Sequence, residues 1–204
     1  MLLVLPGLID ALALGAVLGV RHALEPDHLA AITTMVSGTD GPRAAARTGA
    51  AWGLGHAIAV VLLGGALIAL DVKVPLRVAI ALEVAVAIML VALGAHALRT
   101  RHRATSSPHG RSTMVGFIHG ASGTAAITVI CATTFRSAPI GLAFLLVFAL
   151  GATLSMSAMS GLLATPLSAV GKRSVRALSM LRIAGAIAAF AAAAFVLMQI
   201  LRGA

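Results

Sequence analysis

The chain has 204 residues, 60% hydrophobic and 10% charged, with a mean hydropathy of +1.05; a soluble domain carries about 25% charged residues, so this is the composition of an integral membrane protein. The formal charge of +9 does not indicate a nucleic-acid binder, because only 3% of the residues are aromatic and the basic residues fall between apolar stretches, where they orient helices in a bilayer. The single cysteine, Cys131, excludes an internal disulfide framework and a C-x-x-C redox relay.

The first residues, Met1-Leu2-Leu3-Val4, lack the basic region of a secretory signal, so the N-terminus is expected to be retained. A bilayer core about 30 Å thick takes roughly 20 apolar residues per helix. Six stretches qualify: Ala11–Val36, Ala50–Leu70, Pro75–Leu98, Met114–Thr134, Ile140–Thr165 and Leu178–Leu201. The expected fold is therefore all-α, a multi-pass transmembrane helical bundle of about six spans with a broken first helix. It forms one domain, residues 1–204, with a first three-helix half at 1–98, a basic cytoplasmic loop at 99–113 and a second half at 114–204. The connections Ser37–Gly49, Arg99–Thr113 and Pro166–Ala177 hold two, four and three Lys or Arg, against four on the other side (Lys73, Arg77, Arg136, Arg202). The positive-inside rule then places those three connections in the cytoplasm, with His102 and His109 in the longest, and both termini outside the cell membrane.

Within the first span lies Arg21-His22-Ala23-Leu24-Glu25-Pro26-Asp27-His28, near the membrane middle if Asp10 marks the outer boundary. Ionisable groups at that depth cost several kcal/mol, which makes them a functional-site candidate. Pro26 donates no backbone hydrogen bond, leaving the His22 carbonyl without its helical partner, and pushes Glu25 out of helical geometry. A kinked or unwound segment is expected, in which His22, Asp27 and His28 converge; freed carbonyls at such breaks serve cation sites in many secondary transporters. The plainer alternative is a kink in a packed helix. Glu25 ranks second, because an i,i+4 pair with Arg21 would make it a counter-ion.

In the second span, Trp52-Gly53-Leu54-Gly55-His56 adds an imidazole, either a further ligand or a core histidine bonded to a carbonyl. Glu83 in the third span is either a proton carrier or half of a buried pair. In the fourth, Gly116-Phe117-Ile118-His119 echoes Gly19-Val20-Arg21-His22, and Thr124 follows His119 at the spacing of Asp27 from His22. Three spans per half would make the copies an inverted repeat, with His22 and His119 on opposite sides of one site. Thr33, Thr34, Thr153, Ser155 and Ser157 can bond to their own helix backbone and receive no assignment.

Imidazole nitrogen with carboxylate oxygen suits borderline divalent metals such as nickel, cobalt or zinc, whereas sodium, potassium and calcium take oxygen almost alone. The expected ligands are His22, Asp27, His28, His119 and His56, with Glu25, Glu83 and Thr124 in second place. The metal would be cargo, so no cofactor is expected, and neutral imidazoles are required to bind it. The chain has no P-loop, so ATP could act only through another subunit. The expected partners are a divalent metal ion and the lipid bilayer, not nucleic acid; a homo-oligomer is left open.

His22-x-x-x-x-Asp27-His28, preceded by a glycine and an arginine, resembles the first histidine motif of the nickel/cobalt transporter family. Trp52–His56 is similar to that family's glycine–histidine motif in the next helix, and Phe117–Ala126 resembles the second-half histidine segment of its shorter, urease-accessory-type relatives. The resemblance implies a multi-pass permease, a secondary transporter and not an enzyme, moving Ni2+ or Co2+ with His22, Asp27 and His28 as selectivity and transport residues. An acidic motif of longer members is replaced here by Gly151–Ser157. Only two histidines stand in the long loop, where exporters often have many, so uptake is favoured. The alternatives are an efflux protein of the same family, a membrane metal-handling partner for metalloenzyme maturation, and an H-x4-D acyltransferase with His22 as general base.

Overall fold

The computed structural model describes residues 5–36, 39, 41–99, 109–135 and 137–203, and every regular element among them is helical. Helices α1 (Leu5–His22) and α2 (Pro26–Val36) meet at a break of three residues, bent by 55°. Proline opens α2, where its missing N–H would have had no helical partner in any case. The carbonyl of His22 is not freed as the sequence suggested. Glu25 N–H reaches it at 3.1 Å and Leu24 N–H reaches Arg21 O at 2.9 Å, a tighter turn that closes the end of α1.

Helix α3 (Pro42–Ala59) begins after Gly41, whose φ of 130° demands glycine. A π-turn at Val60–Gly64 leads into α4 (Gly65–Leu70), which ends on Asp71 in the left-handed region at φ 51°. Val72 N–H then caps Leu67 O at 3.0 Å, a Schellman-type stop. Helices α5 (Leu76–Arg99), α6 (His109–Thr134), α7 (Ala138–Arg173) and α8 (Val175–Gly203) follow. Two connections are shorter than expected. The end of the 99–113 loop is helical from His109, while residues 100–108, His102 among them, lie outside the described residues. Helix α7 continues through Pro166 to Arg173, so the connection expected at Pro166–Ala177 reduces to Ser174, whose Oγ accepts from Ala177 N–H at 3.2 Å and caps α8.

Four helical stretches among the described residues are long and apolar enough to cross a membrane: Pro42–Leu70, Leu76–Arg99, Ala138–Ala169 and Ser179–Arg202. The bent α1–α2 pair is a fifth. Their outer faces carry exposed leucine and isoleucine at helical spacing, such as Leu146, Leu150 and Leu154 on α7 and Ile183 and Ile187 on α8. Water would not favour such surfaces, and lipid does. The chain is an integral membrane protein.

Helices α3 and α7 cross at the centre; α1 lies along α7, α6 along α3, α5 pairs with α8, α2 docks on α8 and α6 touches α5. Glycine permits the closest of these approaches. Gly15 and Gly19 meet the backbone of Phe144 and Phe148, while Gly116 and Gly120 meet the backbone of Trp52 and His56. Gly151 in turn faces Ala16 and Val20, and Gly55 faces Thr113 and Phe117. Across α3 and α7, the Ser157 hydroxyl donates to Ala46 O at 3.0 Å, and the Thr153 hydroxyl is shared between Gly53 O at 3.0 Å and Ala149 O of its own helix at 2.8 Å. Two buried apolar clusters result, one including Ile32, Trp52, Leu90 and Met156, the other including Val60, Phe144, Leu145 and Phe148.

Candidate metal centre

Four helices, α1, α2, α3 and α6, bring the polar residues to one place. On a straight helix His22 and His28 would point to different faces, since six residues turn it through about 600°. The break after His22 removes that constraint and sets their ring centroids 4.3 Å apart. His119, from α6, stands 4.0 Å from His28, and His56, from α3, stands 5.1 Å from His22 and 5.6 Å from His28. All five expected ligands are thus gathered, and His28, His56 and His119 are buried.

Asp27 lies in the first turn of α2, where the positive end of the helix dipole favours a carboxylate. Its Oδ1 accepts from His28 Nδ1 at 3.2 Å and its Oδ2 from His119 Nε2 at 2.8 Å. Among the described residues, five imidazole nitrogens are buried without a hydrogen-bond partner: Nε2 of His22 and His28, both nitrogens of His56, and Nδ1 of His119. Such groups are rare unless they have a ligand to serve. A core histidine at 56 would need the carbonyl partner that it lacks.

The donor atoms fall into two triads that share His28: His22, His28 and His56, and Asp27, His28 and His119, each set lying within 4.8 Å. Zinc-type cations bind nitrogen or oxygen at about 2.0–2.2 Å, so ligand atoms around one ion lie about 3–3.5 Å apart. Small side-chain rotations would bring either triad to that spacing. The nitrogen-rich set with one carboxylate fits a borderline dication.

The second-place residues divide. Glu25 pairs through Oε2 with His22 Nδ1 at 2.9 Å and not with Arg21, because the helix stops at His22 and the i,i+4 geometry is lost. Glu83 lines the same cavity as the histidines from α5. Thr124 is not drawn in: its hydroxyl donates to Gly120 O of its own helix at 2.7 Å. That cavity, about 410 Å³, is bounded by His22, Asp27, His28 and His119 and runs from them along Ala126 and Ile130 of α6 and Gln199 of α8. It therefore lies toward the end of the bundle where α6 and α8 finish and α5 begins.

Two aromatic neighbours were not assigned from the sequence. The Trp52 ring stands 5.4 Å from His28 and 5.8 Å from His119, and the Phe148 ring stands 5.2 Å from His22. A signal was available in Trp52-Gly53-Leu54-Gly55-His56, which recurs in outline as Phe148-Ala149-Leu150-Gly151-Ala152.

Residues 8–98 match the family model of NicO, described as a high-affinity nickel-transport protein. The urease accessory protein UreH of Bacillus sp. (strain TB-90) is 31% identical over 178 residues, covering 78% of each chain. No solved structure matches significantly. The family match contains His22, Asp27, His28 and His56, and the relative extends the likeness over most of both chains; the chain belongs to the NicO family of nickel-transport proteins.

Proposed function

We propose that this chain is a permease for a divalent transition metal, Ni2+ or Co2+, working in uptake across the cell membrane with both termini outside. His22, Asp27, His28, His56 and His119 hold the ion in passage, and Glu25 and Glu83 draw it into the cavity. The observation that carries this reading is the set of buried imidazole nitrogens, contributed by α1, α2, α3 and α6, that have no hydrogen-bond partner around one carboxylate. An aquo ion entering the cavity exchanges water for Asp27, His28 and His119, then passes through shared His28 to His22 and His56. An inside-negative potential favours inward movement of a dication by roughly 4.6 kcal/mol per 100 mV.

We also propose six spans in two inverted halves, with α1–α2, α3–α4 and α5 answered by α6, α7 and α8. Residue spacing supports it. His119 stands 97 residues after His22, and Gly55 meets Thr113 and Phe117 while Gly151 meets Ala16 and Val20, again 97 earlier. Exchanging the halves turns the α1–α7 contact into the α6–α3 contact, and the α2–α8 contact into α6–α5. In the proposed orientation the cavity opens at the outer end of the bundle, where an importer would receive its cargo. The acyltransferase reading needs a His22–Asp27 pair, and Asp27 is instead engaged by His28 and His119.

The test is accumulation of radioactive nickel, with cobalt and zinc as competitors, in cells lacking their own nickel uptake and expressing this chain or its His28→Ala form. Higher accumulation than the variant is expected. Lower accumulation would reverse the direction, and equal accumulation would refute transport of these metals through His28.

A further inference from the structure

We infer that Trp52 and Phe148 are the paired gates of the pathway, Trp52 closing it on one side of the histidines and Phe148 on the other; this rests on the permease reading. The first argument is equivalence. Trp52 lies ten residues into α3, and Phe148 ten residues into α7. Trp52 stands against His119 and its backbone receives Gly116; Phe148 stands against His22 and its backbone receives Gly19. His22 and His119 are 97 residues apart, as are Gly19 and Gly116, and the two aromatics are 96 apart. One aromatic ring therefore abuts each half's leading histidine, supplied in each case by the opposite half.

The second argument is that the two rings, both buried, stand differently toward the cavity. Phe148 lines the cavity that reaches the histidines. Trp52 does not line it; it is 1% exposed, sits in the buried cluster with Ile32, Leu90 and Met156, and its indole N–H has no hydrogen-bond partner. On this reading the cavity reaches the histidines beside Phe148 and stops short of Trp52. Rocking the halves would exchange the two environments, releasing Trp52 toward the cytoplasmic ends of α3 and α6 and packing Phe148 over His22. A large flat ring suits this task, because it seals by area and can leave without breaking a hydrogen bond.

The test reads the opening directly and needs no metal. In a Cys131→Ala background, Ala126→Cys places a thiol in the open cavity, and a hydrophilic maleimide is applied to the full chain in lipid nanodiscs, where both faces are accessible. Removing the Trp52 ring loosens the closed side and shifts the population to the other state, so Trp52→Ala should slow labelling of the thiol about three-fold or more. Phe148→Ala should leave it as fast or faster. Trp52→Phe should move it in the same direction as Trp52→Ala by less, and it decides the matter if the alanine form does not fold. A folded Trp52 variant labelling at the reference rate, or Phe148→Ala slowing it equally, would overturn the gates. Labelling as expected in a chain that accumulates no nickel would instead refute the cargo, not the gating.

Discussion

Substituting Gly120 by alanine sets two effects against each other. Alanine is the better helix former by about 1 kcal/mol. A Cβ at this position, however, would stand 2.5 Å from the His56 carbonyl oxygen and 2.9 Å from His56 Cα. Non-bonded carbons rest at about 3.5–4.0 Å, so α3 and α6 would have to separate by about 1 Å. The obstructing atoms are backbone and have no rotamer to move into. Overpacking costs typically 1–3 kcal/mol, so the net destabilisation is about 0–2 kcal/mol and the variant should still insert. The effect on transport is larger, because the displacement falls on His56 and on His119 beside Gly120. A metal site tolerates about 0.2 Å in its ligand distances, and a misplacement of about 1 Å can cost as much as 100-fold. We expect nickel accumulation to fall at least about ten-fold at equal protein level. Gly110→Ala is the control on the same helix, where an added Cβ meets nothing within 4 Å; it should accumulate fully and melt no lower than the parent. Gly120→Ala with parental accumulation would refute the close α3–α6 approach that sets the site.

Asp27→Asn should lower accumulation more than ten-fold, because an amide has one oxygen to accept with where the carboxylate uses two, toward His28 and His119, and it brings no charge to the dication. Thr124→Val should accumulate nickel normally, since that hydroxyl serves only Gly120 O; a clear loss in initial rate would restore Thr124 as a ligand. Thr153→Val should lower stability in detergent by no more than about 0.6 kcal/mol and leave transport intact, because the hydroxyl shares its one proton between Gly53 O and Ala149 O of its own helix.

Much of the candidate site was legible because its cost was legible. Histidine and aspartate inside an apolar stretch stand out whatever the fold, and Pro26 announced the break that lets His22 and His28 share a face. Their convergence with His119 was harder, since it depends on two helices that run in opposite directions, and only the glycine–histidine echo pointed to it. The caps were not legible. Sequence rules removed a donor at Pro26 and left the His22 carbonyl open, but the chain tightened by one residue and closed it with Glu25 N–H. The same tightening took Glu25 away from Arg21 and gave it to His22. Pro166 was read as the end of a span, yet α7 runs through it for seven more residues. A proline beyond the apolar window need not end a helix, whose freed backbone groups water or neighbours can satisfy.

In the proposed inverted repeat, the two halves are alike in framework and unlike in chemistry. At the positions that answer His22, Asp27, His28 and His56, the second half carries His119, Thr124, Ala125 and Ala152. The glycines and aromatics that set the packing persist on both sides, while the ligands persist almost entirely on one. A permease must hold its ion firmly enough to strip water and weakly enough to let it leave. Two full ligand sets facing each other would offer two carboxylates and six imidazoles to one dication, a trap and not a passage. Under the proposed mechanism, leaving only His119 on the second half would make its hold on the ion separable: rocking of the halves would break one bond to that side while the rest stayed with the first. His119→Ala should accordingly weaken transport less than His28→Ala, which belongs to both triads; the reverse order in nickel accumulation would show that the ion is held mainly by the second half.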